Sequence, residues 1–175
     1  MRFVMAILAA ALLSACASQP VYRRAEAPLA AVPTVDPDRY LGRWFEIARY
    51  PNSFQKECEA VTATYSRRDD GLIKVVNACG AIEGSLGREA VGRAKIVDLQ
   101  SNAKLKVSFF GPFWGDYWII DLKDDYSRAI VGEPSGRYLW VLARDPAISE
   151  AERADIITTL GGLGYPAEPL HFTRH

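Results

Sequence analysis

Histidine is nearly absent from this 175-residue chain, and its only two copies, His171 and His175, stand at the C-terminal end. No Gly-x-Ser-x-Gly or His-Glu-x-x-His pattern occurs, so the common nucleophile–base pairs and zinc centres are missing and Cys58 has no activating partner in the sequence. The chain reads as a non-enzyme with no cofactor and no metal. An excess of one charge is also lacking: 21 Lys+Arg face 21 Asp+Glu. Without a basic run there is no electrostatic footprint for a phosphate backbone, and nucleic acid is not an expected partner. Apolar runs are short; Phe3 to Leu13 falls short of a hydrocarbon layer ~30 Å thick. The length suits one domain with a sizeable core. Aromatic residues are plentiful, with four Trp and eight Tyr, which suits a fold that lines a cavity with large flat side chains.

The N-terminus carries the sharpest local signal. Arg2 precedes the apolar run, as in a signal peptide spanning 1–15. Leu13-Ser14-Ala15-Cys16 resembles a bacterial lipobox, in which the Cys thiol receives a diacylglyceryl group; the other reading is an ordinary secretory signal with a chance Cys. No Asp follows at the second position after Cys16, and the resemblance to sorted lipoproteins points to the outer membrane. Two or three acyl chains at ~0.8 kcal/mol per buried methylene make a stable anchor. Residues 16–35 are rich in Ala and Pro and read as a loose tether about 25 Å long on average. The folded domain is expected over 36–175.

Cys58 and Cys79 remain as an even pair in an exported chain, for which a disulfide is the default; free thiols or a metal site are the alternatives. They flank the turn signal Asp69-Asp70-Gly71 almost symmetrically. About that three-residue signal, strand partners lie an even number apart, so the odd separation of Cys58 and Cys79 requires a bulge or a longer turn.

Beyond Asp36 the pattern is period-two strands broken by Gly, Pro and Asp. Val61, Ala63 and Tyr65 alternate with polar residues, as do Leu105, Val107 and Phe109. Further strands fit Gly42 to Tyr50, Leu72 to Cys79, Ala90 to Asp98, Asp116 to Leu122, Arg128 to Gly132 and Tyr138 to Arg144. Eight strands in an antiparallel up-and-down meander close into a β-barrel wide enough for one small ligand. The single helix should start at Ser149, with Glu152 completing a capping box, and end near Gly161 to Gly164. Its stripe Ile156, Ile157, Leu160 and Leu163 should pack on the outside of the barrel, followed by a short strand at Leu170 to Phe172.

From about Asp36 onward the chain resembles the lipocalin family, specifically the bacterial outer-membrane lipoprotein lipocalins related to apolipoprotein D. Gly42-x-Trp44 matches the first family motif, Asp124-Asp125-Tyr126 matches the second except at its first position, and Arg144 matches the third. The resemblance implies that Arg144 lies across Trp44 at the closed end, joined by cation–π stacking and hydrogen bonds to carbonyls, with Gly42 beside them. It also fixes the strand register. On that register Val61, Ala63, Tyr65, Val75, Leu105, Val107, Phe109, Tyr117, Ile119, Tyr138 and Trp140 line a cavity for a fatty acid or lysophospholipid, and the three Tyr hydroxyls can bond a carboxylate or glycerol oxygen. A barrel filled by its own side chains is the alternative, which the small Ala63 speaks against. Phe113 and Trp114 form either an exposed apolar patch for a membrane or a second subunit, or a cover over the barrel end. Arg67, Arg68 and Arg88 either meet a head group or are solvated. The resemblance admits a homodimer, though no residue here marks an interface. A role in envelope maintenance under stress rests on the resemblance alone.

Overall fold

A computed structural model describes residues 19–80 and 87–175; the signal-peptide reading and Cys16 lie outside them. One turn of helix, α1 (Pro37–Tyr40), starts on Asp36, whose carboxylate accepts from the backbone N–H groups of Asp38 and Arg39. Eight strands follow: β1 (Gly42–Arg49), β2 (Glu59–Arg67), β3 (Ile73–Gly80), β4 (Arg88–Ile96), β5 (Lys104–Ser108), β6 (Gly115–Leu122), β7 (Arg128–Gly132) and β8 (Leu139–Ala143). Helix α2 (Glu150–Gly162) and the two-residue β9 (His171–Phe172) complete the chain. Each strand pairs antiparallel with the next, and β1 pairs with both β2 and β8, which closes the barrel.

Two apolar layers follow from strand alternation. Trp44, Ala63, Tyr65, Val75, Leu105, Ile119 and Val131 pack inside the barrel. Ile47, Ala48, Ile130 and Val141 face outward under α2, against Ile156 and Leu160. Ser149 and Glu152 form the capping box. Of the expected helical stripe, Ile156 and Leu160 are fully buried whereas Ile157 is 38% exposed, because it sits one residue round from the contact face.

Two bulges set the site. Between Glu59 and Thr62 β2 carries an extra residue opposite Cys79, so the odd separation of the cysteines is absorbed and Cys58 and Cys79 are bridged, with Cα atoms 5.3 Å apart. The freed Ala60 N–H donates to the Arg174 carbonyl (2.7 Å), and β9 with the residues after it fills the wall beside β1 at the end where β2 has diverged. The second bulge falls between Glu46 and Ala48 on β1.

Residues 19–35 are not a loose coil. Tyr22 and Arg23 N–H groups donate to the Gly136 carbonyl (2.9 and 3.1 Å), Arg24 N–H to Gly164 (2.7 Å), Val32 N–H to Ile119 (2.9 Å) and Val35 N–H to Ser101 (2.7 Å). The segment therefore runs from the open end, past the end of α2, to the closed end, with Leu29 buried on the way.

Candidate ligand-binding barrel

At the closed end Trp44 is fully buried and its indole N–H donates to the Tyr40 carbonyl (2.8 Å). The Arg144 guanidinium lies 3.8 Å from the Trp44 ring centroid. It donates to the carbonyls of Arg43 (2.6 Å), Arg39 (2.8 Å), Leu41 (2.9 Å) and Tyr40 (3.3 Å). Only a delocalised, planar cation can stack and fan out donors in this way. Gly42 supplies a positive φ of 94° beneath it, and a Cβ there would stand 3.4 Å from the Arg144 Nη1.

Above this seal, Ala63, Tyr65, Val75, Leu105, Val107, Phe109, Tyr117, Ile119 and Trp140 belong to one interior apolar cluster. Val61 is buried on the same face of β2. Tyr138 lies apart, stacked on Trp140 with ring centroids 5.9 Å apart and facing Phe54 at 5.7 Å. The interior phenols are therefore Tyr40, Tyr65 and Tyr117, and the first of these was not expected from the sequence. The Tyr117 hydroxyl is 2.9 Å from those of Tyr40 and Tyr65. Burial pushes all three phenols up, that of Tyr65 to about 12, so each keeps its proton. Two contacts use two protons of three, so one O–H is left to donate to something else. Beside it lies a void of about 20 Å³ bordered by Val35, Ile73, Leu105 and Ile119, room for roughly one water.

Near the mouth the interior is polar, which strand alternation alone hides. The bulge at Ile47 sets Glu46 opposite Leu142 and Arg49 opposite Trp140, both interior positions, so two charged residues three apart point inward. They form a buried ion pair of 2.6 Å. Arg49 also donates to the carbonyls of Cys58 (2.9 Å) and Gln55 (3.2 Å), and Glu46 accepts from Gln55 (2.7 Å) and Thr173 (2.8 Å). The Gln55 side-chain oxygen Oε1 in turn accepts from the Trp140 indole N–H (2.8 Å). The available signal in the sequence was Glu46, which shares the parity of Trp44.

The remaining candidates separate by position. Arg67 pairs with Asp38 and Arg68 with Asp70, all on the surface at the closed end. Arg88 alone approaches the mouth, donating to the Lys56 carbonyl (2.9 Å). Phe113 is exposed, whereas Trp114 is half-buried with the Lys95 ammonium 4.6 Å from its ring; the two do not cover the barrel end together.

Residues 35–175 match the lipocalin-like domain. This chain belongs to the lipocalin family. It is 40% identical to the outer membrane lipoprotein Blc of Escherichia coli (strain K12) over 162 residues, covering 93% of this lipocalin and 89% of the relative. Its identity to Blc of Citrobacter freundii is 39% over 171 residues, covering 98% and 94%, an alignment long enough to cross Cys16. Apolipoprotein D of Macaca fascicularis is 32% identical, covering 76% of this chain and 68% of the relative. Among solved structures, insecticyanin from the tobacco hornworm superposes with a TM-score of 0.69 at 17% identity, covering 85% of each chain, which shows the shared fold. The lipocalin is thus a binder of small hydrophobic ligands, in a family generally of carriers rather than enzymes, and a lipid-anchored protein of the outer membrane.

Proposed function

We propose that this lipocalin, acylated on Cys16 after removal of residues 1–15, carries a fatty acid or lysophospholipid at the outer membrane, in service of envelope maintenance under stress. One observation carries the reading: the apolar interior contains a phenol cluster with one uncommitted donor beside a void. An acyl chain satisfies the walls and an ester or carboxylate oxygen, or a water, satisfies the donor. Burying ~15 methylenes at ~0.8 kcal/mol each supplies about 12 kcal/mol before ordering costs are subtracted.

Ligand pockets usually run to about 300–1,000 Å³, far above the void of about 20 Å³. Loading therefore requires interior side chains to move apart. The same small void favours a second reading, a barrel filled by its own side chains that serves as a partner-binding lipoprotein. Native mass spectrometry of the Cys16→Ser chain after gentle purification, followed by lysophospholipid titration read by tryptophan fluorescence, separates the two. A co-purified lipid, or saturable one-to-one quenching weakened by Ala63→Trp, supports the carrier. No adduct and no saturable response at any acyl length selects the filled barrel.

A further inference from the structure

The acyl anchor and the barrel mouth lie at the same end of the molecule. The Gln19 side-chain amide donates to the Pro51 carbonyl, and the Arg137 side chain donates to the Gln19 carbonyl (3.0 Å). Pro51 opens the loop from β1 to β2, and Arg137 closes the turn from β7 to β8; both connections are at the open end. Tyr22 and Arg23 hold the same turn through Gly136. Cys16 precedes Gln19 by three residues, which span at most about 11 Å when fully extended. The eight residues of β1 alone run roughly 26 Å, so this leash cannot stand the barrel on its closed end against the surface that holds the acyl chains, with the mouth away from it.

The end so tethered is also apolar. Phe54 in the loop from β1 to β2 is 59% exposed, and Phe110 and Phe113 in the loop from β5 to β6 are 79% and 76% exposed. Large apolar side chains gathered exposed at one end of a molecule are candidates for a contact surface. We propose that the mouth of this barrel is seated on the bilayer leaflet that carries its anchor, with Phe54, Phe110 and Phe113 in the head-group layer, so that lipid passes between leaflet and barrel without crossing water. The occupant of this surface is a lipid bilayer, because the leash ends in one. The proposal rests on acylation of Cys16.

The test uses the full lipidated chain in phosphatidylethanolamine–phosphatidylglycerol vesicles, with a single environment-sensitive fluorophore at position 110, 113 or 99 and brominated acyl chains as quencher. Leu99 is 81% exposed in the loop at the closed end and serves as the control. Labels at 110 and 113 are expected to be quenched at least threefold more than the label at 99. A spacer of about 15 Gly/Ser residues between Ala17 and Ser18, adding about 20 Å of reach, is expected to slow transfer of a lysophospholipid from vesicle to barrel severalfold while leaving solution affinity unchanged. Equal quenching at all three sites, or none, overturns the seating, and so does label-to-label coupling between molecules at 110 and 113, which assigns the patch to a second copy. Intact mass of the purified lipoprotein reports the acyl group on Cys16 independently, so loss of the anchor and loss of the orientation are distinguishable.

Discussion

Replacing Tyr117 by Phe should destabilise the barrel more than replacing either phenol that it joins. Tyr117 is the middle of a chain of three, 2.9 Å from Tyr40 on one side and from Tyr65 on the other. Removing an end hydroxyl breaks one contact, and the remaining pair stays bonded, at about 1 kcal/mol. Removing the middle one breaks both contacts and leaves two buried hydroxyls without each other's company; each unsatisfied group costs about 1–3 kcal/mol. The void of about 20 Å³ can admit a water that recovers part of this, which puts Tyr117→Phe at about 2–4 kcal/mol against about 1 for Tyr40→Phe or Tyr65→Phe. Urea denaturation of the Cys16→Ser domain measures all three, and the double variant Tyr40→Phe/Tyr65→Phe closes the cycle. If Tyr117→Phe is within about 0.5 kcal/mol of the end variants, a difference too small to reflect a stranded buried hydroxyl, the hydroxyl chain is not the stabilising unit and the uncommitted proton loses its significance.

Glu46 and Arg49 make a second case: Arg49→Met alone strands a buried carboxylate and should cost about 3–5 kcal/mol, whereas Glu46→Leu/Arg49→Met together should recover part of it, the remainder reflecting the Gln55 and Thr173 donors and the Cys58 carbonyl left without their partners, as thermal denaturation will show. Reducing the Cys58–Cys79 bridge, with its sequence separation of 21, should cost about 3 kcal/mol on the loop-entropy model, read as a shift in the urea midpoint with and without reductant. The buried phenols give the pH response its sign. Tyr65 is raised from 10.0 to about 12 in the fold, so the unfolded chain loses its proton first and stability should hold up to about pH 10, then fall as pH rises toward 12. Tyr65→Phe should flatten that decline in denaturation curves taken from pH 9 to 12.

The architecture was legible because a half-buried strand writes its two faces into the sequence in alternation, as Val61 to Tyr65 and Leu105 to Phe109 do, and Gly, Pro and Asp mark the turns between strands such as β7, which is buried throughout and carries no alternation. The bulge in β2 was legible for a different reason: strands folded about Asp69-Asp70-Gly71 pair positions an even number apart, as Arg67 with Ile73 and Thr62 with Ala78 do, so the odd separation of Cys58 and Cys79 calls for one extra residue. The bulge at Ile47 had no such marker, and with it went Arg49, which alternation assigns to the outside. Tyr40 escaped notice because it lies on α1, outside every strand, and meets Tyr117 only through the tertiary fold. Residues 19–35 were misjudged because their attachment is made of backbone groups donating to the carbonyls of Gly136, Gly164, Ile119 and Ser101, and a main-chain hydrogen bond leaves no trace in an Ala- and Pro-rich composition.

The C-terminal residues beside β1 also set an order of events. Thr173 N–H donates to the Ile47 carbonyl (3.0 Å), and its hydroxyl reaches Glu46 across 127 positions of sequence. The wall near the mouth is thus finished by residues synthesised late against a strand synthesised early. A chain emerging N-terminus first cannot close its cylinder until β8 is available to pair with β1, and contacts this remote place its folding in the slow range typical of β-barrels, milliseconds to seconds.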